Sequence, residues 1–447
     1  MEIGISIKQR LFQIAEIIHL RVFGHAMSDG MGRFLGNLNY VFMATLVVGV
    51  LIYTLNIMAG RWLSVEDYGR YQLALSMSFF LIIPISMGLT TAGIHALAKK
   101  NGDQKKIISS MLLLTAFFGT ISVPLMLLFS GYIADLIGVE KDLIIAAVIY
   151  TAFFSLYSIL RSVLQGLLDF RRIAVFEAVY AVVASVTFIL FLVVLKRTEF
   201  WLPLAAFSFG FLIFGIACIP IIRRYFELAS FSSESGKMLL KNGLIMVAAS
   251  VSGFLLGNID RFIINGLIDI ETVALYSAYA YSAGVFLNFF LQTFITVFFP
   301  SMSYIDDASK VAINQKINRL YGVAFVPLFL LSFLFIVVSF SLFGEKYTIS
   351  YAYATLFSAY IMVQFFVSTK QWLLASFGEK GMLYSTYATV LASATNVVIV
   401  YLFTKYYGLG GAASGLIVSL ILFIFINRYF LELLFRRGED NKYNQSI

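Results

Sequence analysis

From residue 38 to its end the sequence is a succession of apolar runs of about twenty residues, the length a helix needs to cross about 30 Å of hydrocarbon. Only 13% of the 447 residues are charged, 60% are hydrophobic, and the mean hydropathy is +0.89. A soluble domain carries about 25% charge, and no interior of a chain this long could hide so much apolar surface from water. A membrane β-barrel alternates inward and outward residues over segments of about ten, a pattern these runs lack. The chain is therefore expected to be an all-α polytopic membrane protein of about twelve transmembrane helices. The spans are expected near 37–60, 69–97, 107–130, 143–168, 173–195, 201–222, 239–265, 273–299, 320–343, 350–376, 381–404 and 408–434.

Basic residues give the spans an orientation. With the N-terminus inside, Lys99, Lys100, Lys105, Lys106, Arg171, Arg172, Arg223, Arg224, Lys237 and Lys241 fall in inner loops, and the termini add more. The inner side then exceeds the outer by about three to one, which fits the positive-inside rule. Both termini are expected to be cytoplasmic. The net charge of +8 belongs to this topology and calls for no nucleic acid. No cleavable signal peptide is expected, because the first thirty residues lack an apolar core segment.

A weak internal repeat divides the chain. At an offset of 205, Val65 falls on Ile270, Glu66 on Glu271, Gly69 on Ala274, Tyr71 on Tyr276, Gly60 on Asn265 and Asn37 on Asn242. The repeated stretch is the outer hairpin between the first two spans of each half. Between the halves lies a polar, Ser-rich inner segment. The domains are therefore expected as an amphipathic interfacial helix at 1–34, a first lobe at 35–222, a linker at 223–238, a second lobe at 239–434 and a tail at 435–447. Two pseudo-symmetric six-helix lobes of the same topology result.

Little in the sequence points to catalysis. There is no Gly-x-Ser-x-Gly elbow, phosphate-binding loop or dinucleotide fingerprint. The lone Cys218 excludes an intrachain disulfide, and no histidine has acidic neighbours at ligand spacing, so neither a cofactor nor a metal is expected. The informative residues are ionisable groups inside spans, costly there and usually turned to a cavity. These are Arg161 with Gln165 one turn on, Arg261 with Asn258 nearby, Lys370, and His95 near an inner span end. Asp260 and Glu177 are the acids available for ion coupling. Each has a structural alternative: snorkelling for Arg161 and Lys370, an interface hydrogen bond for His95, and the helix N-terminus for Glu177. Asp260 and Arg261 are neighbours, so on a continuous helix they project about 100° apart and are not expected to share a face. The amides Asn56, Asn288, Gln292, Gln364 and Asn396 read as glue between helices. Tyr68, Tyr71, Tyr276, Tyr279, Tyr281, Tyr351, Tyr353, Tyr406 and Tyr407, near span ends, read as an interfacial belt.

Residues 60–100 resemble the opening of the polysaccharide-transport family, which includes the Wzx-type O-antigen flippases of the multidrug/oligosaccharidyl-lipid/polysaccharide exporter superfamily. Glu66, Asp67, Tyr68, Gly69 and Tyr71 match the family's hairpin turn, and Gly88 and Leu89 its Gly-Leu; His95 stands where the family usually has a basic residue. In the second half Asp260, Gly266, Val273 and Tyr276 match, with Ala274 in place of Gly. The resemblance implies a MATE-like pair of bundles around a central cavity that opens to each face in turn. It implies no enzyme. The substrate would be an undecaprenyl-diphosphate-linked oligosaccharide, moved from the cytoplasmic to the outer leaflet of the bacterial inner membrane. Membrane lipids and other polysaccharide-assembly membrane proteins are the implied partners. Arg161, Arg261 and Lys370 would then form a cationic lumen for the diphosphate. The alternatives are a cation-coupled multidrug exporter, which would want acids in its cavity, and a polymerase or ligase, which would want a long outer loop.

Overall fold

The computed structural model describes residues 29–98, 103–227, 230–303 and 307–445. It runs α1 (Asp29–Trp62), α2 (Val65–Ser86), α3 (Leu89–Ala98), α4 (Gln104–Leu128), α5 (Ser130–Ile137), α6 (Lys141–Gly166), α7 (Phe170–Val193) and α8 (Trp201–Tyr225). The second half continues with α9 (Ser233–Gly257), α10 (Ile259–Leu267), α11 (Ile270–Ser303), α12 (Asp307–Phe343), α13 (Tyr351–Ala375) and α14 (Gly378–Gln445). The described residues form no strand. Of the expected amphipathic segment, residues up to 28 lie outside the described residues, and 29–34 belong to α1; the side chains of Asn288 and Gln292 are likewise outside.

Among the described residues, eight helices are long and apolar enough to cross a membrane, or nine with the bent pair α2–α3 taken as one span. Their outward faces are oily. On α7, Val175, Val179, Val182, Val186, Ile189 and Val193 recur at helical spacing and are all exposed, the arrangement of a helix solvated by lipid.

Helices α1–α8 pack mainly on one another, as do α9–α14; the halves meet where α2 lies against α11, α3 against α9, and α1 against α12. The 205-residue offset recurs in the starts of two helices. α2 starts at Val65 and α11 at Ile270, 205 residues on. Ser64 Oγ caps the first, accepting from Asp67 N at 3.0 Å, and Asp269 Oδ1 the second, accepting from Thr272 N at 2.6 Å. Side-chain oxygens here satisfy amides that no helical carbonyl can reach. The two hairpins also touch each other: a Cβ at Gly69 would fall on the carbonyl oxygen of Ile270.

That contact corrects the expected tyrosine belt. Tyr68, Tyr71, Tyr276 and Tyr279 are the largest fully buried side chains, packed in the common core. Tyr351, Tyr406 and Tyr407 remain exposed, as a belt requires. Apolar bulk near a span end serves either purpose, and only the partner helix decides. The expected linker at 223–238 also shortens to 226–232. α8 continues through Arg223 and Arg224, and Ser232 caps α9 by accepting from Ser235 N at 3.3 Å. The linker is tied to α4, with Glu227 N donating to Ser109 Oγ at 3.1 Å and the Glu227 carboxylate paired with Lys105, which holds that carboxyl below its usual range.

Two expected spans are broken. The span at 69–97 bends by 59° between α2 and α3, where Met87 and Gly88 take φ of 44° and 69°. The span at 239–265 breaks at Asn258 (φ −141°, ψ −15°) into α9 and α10. The spans at 381–404 and 408–434 stay two helices within α14, which meet at the non-helical Gly408 (φ 60°, ψ −140°).

Reciprocal cations latch the hairpin end. Lys346 Nζ donates to the carbonyls of Arg61 (3.1 Å) and Leu63 (3.0 Å), at the C-terminus of α1. Arg61 Nη1 donates to Leu342 O (3.3 Å), at the C-terminus of α12. Each half thus places a cation on the negative end of a helix from the other, a contact worth about 0.3–1 kcal/mol at an exposed site. The double variant R61M/K346M is expected to lose at most about 2 kcal/mol of stability on this basis. Amide hydrogen exchange over 61–68 and 343–350 should nevertheless quicken; unchanged exchange there would show that apolar packing alone closes this end.

Candidate functional site

A cleft of about 330 Å³ lies between the halves. α2 and α3 contribute Phe79, Ile82, Ile83, Ser86 and Thr90, α6 contributes Phe154 and Ser158, and α9 contributes Ser250, Gly253, Phe254 and Asn258. Aromatic and aliphatic walls with a few convergent hydroxyls and one amide are the usual make-up of a small-molecule site. No charged residue lines it. The bend at Met87–Gly88 and the break at Asn258 both border it, so its wall is built where the helices depart from regularity. Irregular backbone at membrane depth is tolerated where it is buried in protein or lines a cavity. Glycine contacts bracket the cleft. Toward the hairpin end Gly69 abuts Ile270; toward the linker end Gly88, in the left-handed region, abuts the carbonyl of Gly243, where a Cβ would collide.

Two of the three expected cations, Arg161 and Arg261, lie next to residues that line this cleft. Arg161 is one turn beyond Ser158 on α6, and its Nε donates to Glu177 Oε1 on α7 at 2.6 Å. Its Nη1 donates to Gln165 Oε1 at 3.2 Å, and Tyr157 OH donates to the same Glu177 oxygen at 2.9 Å. Glu177, considered in sequence for a helix N-terminus or ion coupling, is the half-buried counter-ion of Arg161. Its 13% exposure against 42% for the arginine leaves the cation the more accessible partner.

Arg261 and Asp260 sit at the start of α10, just past the break. Asp260 Oδ2 accepts from Tyr276 OH, while Arg261 Nε donates to Ser277 Oγ at 3.1 Å, so adjacent residues on α10 pair with adjacent residues on α11. Contrary to expectation the two also form an ion pair, Arg261 Nη1 standing 3.6 Å from Asp260 Oδ1. The guanidinium arm is long enough to fold back, and it meets Gly257 O at 3.4 Å as well. The first half has a neutral counterpart: Tyr71 OH and Gln72 Nε2 donate to Asn56 Oδ1 at 3.2 and 3.0 Å. Tyrosines 205 residues apart thus bind an amide in one half and a carboxylate in the other.

Lys370 is not brought to this cleft. It lies in a separate cavity of about 470 Å³ among α12, α13 and α14. His95 is exposed near the end of α3. Of the proposed site residues, Asn258 lines the cleft, Gln165 serves Arg161, and Asn396, read as glue, donates to Leu255 O at 2.9 Å, one turn before the break. Ser86, Thr90, Ser158 and Ser250 were missed. Isolated hydroxyls in apolar spans resemble the many that bond their own helix carbonyls, and only Ser86 and Thr90, beside the quoted Gly88–Leu89 pair, carried a local signal. Among the described residues no group of His, Cys, Asp and Glu could hold a metal ion.

Comparison with curated proteins finds no match. Among solved structures the chain is similar to the lipid II flippase MurJ in an inward closed conformation, with TM-score 0.69, 18% identity, and 88% of this chain and 87% of that one covered. It is also similar to an inward-facing multidrug resistance MATE family transporter of the MOP superfamily, with TM-score 0.66, 17% identity, and 88% and 99% covered. A MATE in the bent conformation gives TM-score 0.61 at 16% identity, with 92% and 98% covered. These likenesses show a shared fold. A family model described as polysaccharide biosynthesis protein matches residues 34–306, a stretch that takes in all of the first half, the cleft and the Asp260–Arg261 pair. On that match, the chain belongs to the polysaccharide biosynthesis protein family and is built on the fold of the MATE and MurJ transporters.

Proposed function

We propose that this protein is a flippase that carries an undecaprenyl-diphosphate-linked oligosaccharide across the membrane by alternating access. The observation that carries the reading is the charge arrangement of the cleft. Its lining is aromatic, hydroxyl and amide, without an acid, and beside it stand two guanidinium–carboxylate pairs, in one of which the guanidinium of Arg161 is the more exposed partner. Rings and hydroxyls suit sugars. Planar guanidinium forks suit a diphosphate, which cannot cross hydrocarbon without replacement of its hydration. An exporter of cationic drugs would need an acid free to meet its cargo, whereas Glu177 and Asp260 are each already paired with an arginine.

Such a substrate is larger than the cleft, so entry requires the halves to part at one glycine contact while the other holds. The basic bias supports a cytoplasmic linker end in a bacterium, with both termini on that side; reporter fusions at the 226–232 linker and the 344–350 turn test this. The decisive measurement is translocation of a lipid-linked oligosaccharide in proteoliposomes. We expect flipping there, with R161Q and R261Q at normal protein levels slowing it at least tenfold and R161K recovering only part, because an ammonium cannot make the forked contact. Dye efflux without glycan flipping would overturn the reading in favour of the multidrug exporter.

A further inference from the structure

We propose that the cavity around Lys370 is a second anion site, distinct from the cleft, which takes the phosphate or diphosphate of a headgroup. Lys370 is 6% exposed, and its ammonium is held by two neutral oxygens, Asn314 Oδ1 and Asn318 Oδ1 (2.5 Å), one turn apart on α12. The Phe366 ring lies 5.1 Å away. Among the described residues no carboxylate lies within ion-pair distance of it. Arg161, on the helix four spans into the first half as Lys370 is in the second, has Glu177 at 2.6 Å. A buried cation without a counter-ion is costly unless an anion joins it.

The cavity supplies what that anion needs. Arg428, on α14, lines it and binds Glu432 through Nε alone at 2.8 Å, which leaves both terminal nitrogens as donors. Lys370 and Arg428 against Glu432 give the cavity one excess positive charge, with one cation deep and one near its mouth. The amide groups of Asn314 and Asn318 add neutral donors. Its residues come from the last turns of α13, the first of α12 and the far part of α14, toward the linker end of the bundle. A volume of about 470 Å³ exceeds what a diphosphate alone requires. The site does not depend on the flipping reaction, since a protein that moves another cargo would still bind phosphate there.

The test is binding to the purified full-length protein in nanodiscs, with inorganic diphosphate and farnesyl diphosphate as probes and the charge-neutral D260N/R261Q as the cleft control. We expect K370M to weaken binding at least tenfold, with the control's affinity at this site unchanged. N314D should do the same while keeping Lys370, because a built-in carboxylate supplies the missing counter-ion; it decides the matter should K370M not fold. Saturation by inorganic diphosphate would identify a free-anion site, and binding of the prenyl form alone a lipid-headgroup site. Equal affinity in wild type and N314D, or loss of all binding in D260N/R261Q, would overturn the proposal.

Discussion

Arg261→Gln, with Asp260 left in place, is expected to destabilise the protein by about 3–5 kcal/mol, the cost of removing one partner from a buried ion pair. The pair qualifies as buried, at 13% and 7% side-chain exposure. Asp260 Oδ1 makes no hydrogen bond, so Arg261 is its main compensation, Tyr276 serving the other oxygen. Neutralising both in D260N/R261Q should recover much of the loss, because a neutral amide can keep the Tyr276 bond without a charge to compensate. Reversible unfolding in mixed micelles of the two singles and the double measures the coupling. Equal stability of R261Q and wild type would show that lipid headgroups or water already solvate Asp260. The same cycle separates fold from function: if the double variant is stable and still fails to flip, Arg261 acts on substrate and not only on Asp260.

The second large effect is expected at the glycine contact toward the linker end. Gly88→Ala combines two penalties. Its φ of +69° disfavours any side chain, and its Cβ would meet the Gly243 carbonyl. Gly138 isolates the first penalty, since its φ is +73° with nothing within 4 Å of a Cβ. G138A should therefore lose about 1 kcal/mol, the low end for a residue held in the left-handed region. Gly243→Ala isolates the second, its Cβ landing on the Met87 carbonyl with no unusual φ. We expect G88A to lose more than G138A by about the cost of G243A, and G243A to open the cleft at the linker end to labelling of a cysteine placed at Ser250. A loss in G88A no greater than in G138A would mean that α3 and α9 separate at little cost and that this contact is not a closure.

Much of the fold was legible because the bilayer imposes it. Backbone groups in hydrocarbon must be satisfied within the segment, so an apolar run of sufficient length is a helix whatever its neighbours. That is why every expected span falls on a helix or a helix pair, and why the 205-residue offset recurs as matching helix starts at Val65 and Ile270. Hydropathy is nearly silent on breaks within a run. Gly88 bends its helix because the Gly243 backbone approaches it, a fact held 155 residues away.

The site was less legible for the same reason. Sequence selected charged residues because charge in a span is rare and costly, and it singled out Arg161, Arg261 and Lys370. It had no means to say which of them share a space. Arg161 and Arg261 lie next to residues that line one cleft, while Lys370 stands in another cavity because α13 faces α12 and α14. The hydroxyls that line the cleft carry no such penalty, and only Ser86 and Thr90, beside Gly88 and Leu89, had any local signal.

What the sequence by itself determined is an all-helical membrane bundle, since this follows from the cost of transferring each residue into hydrocarbon. What only the tertiary structure decided is where the halves touch, which tyrosines are core and not belt, and which cation has a counter-ion. Those depend on the partner across the interface, and in a uniformly apolar solvent no local pattern names that partner.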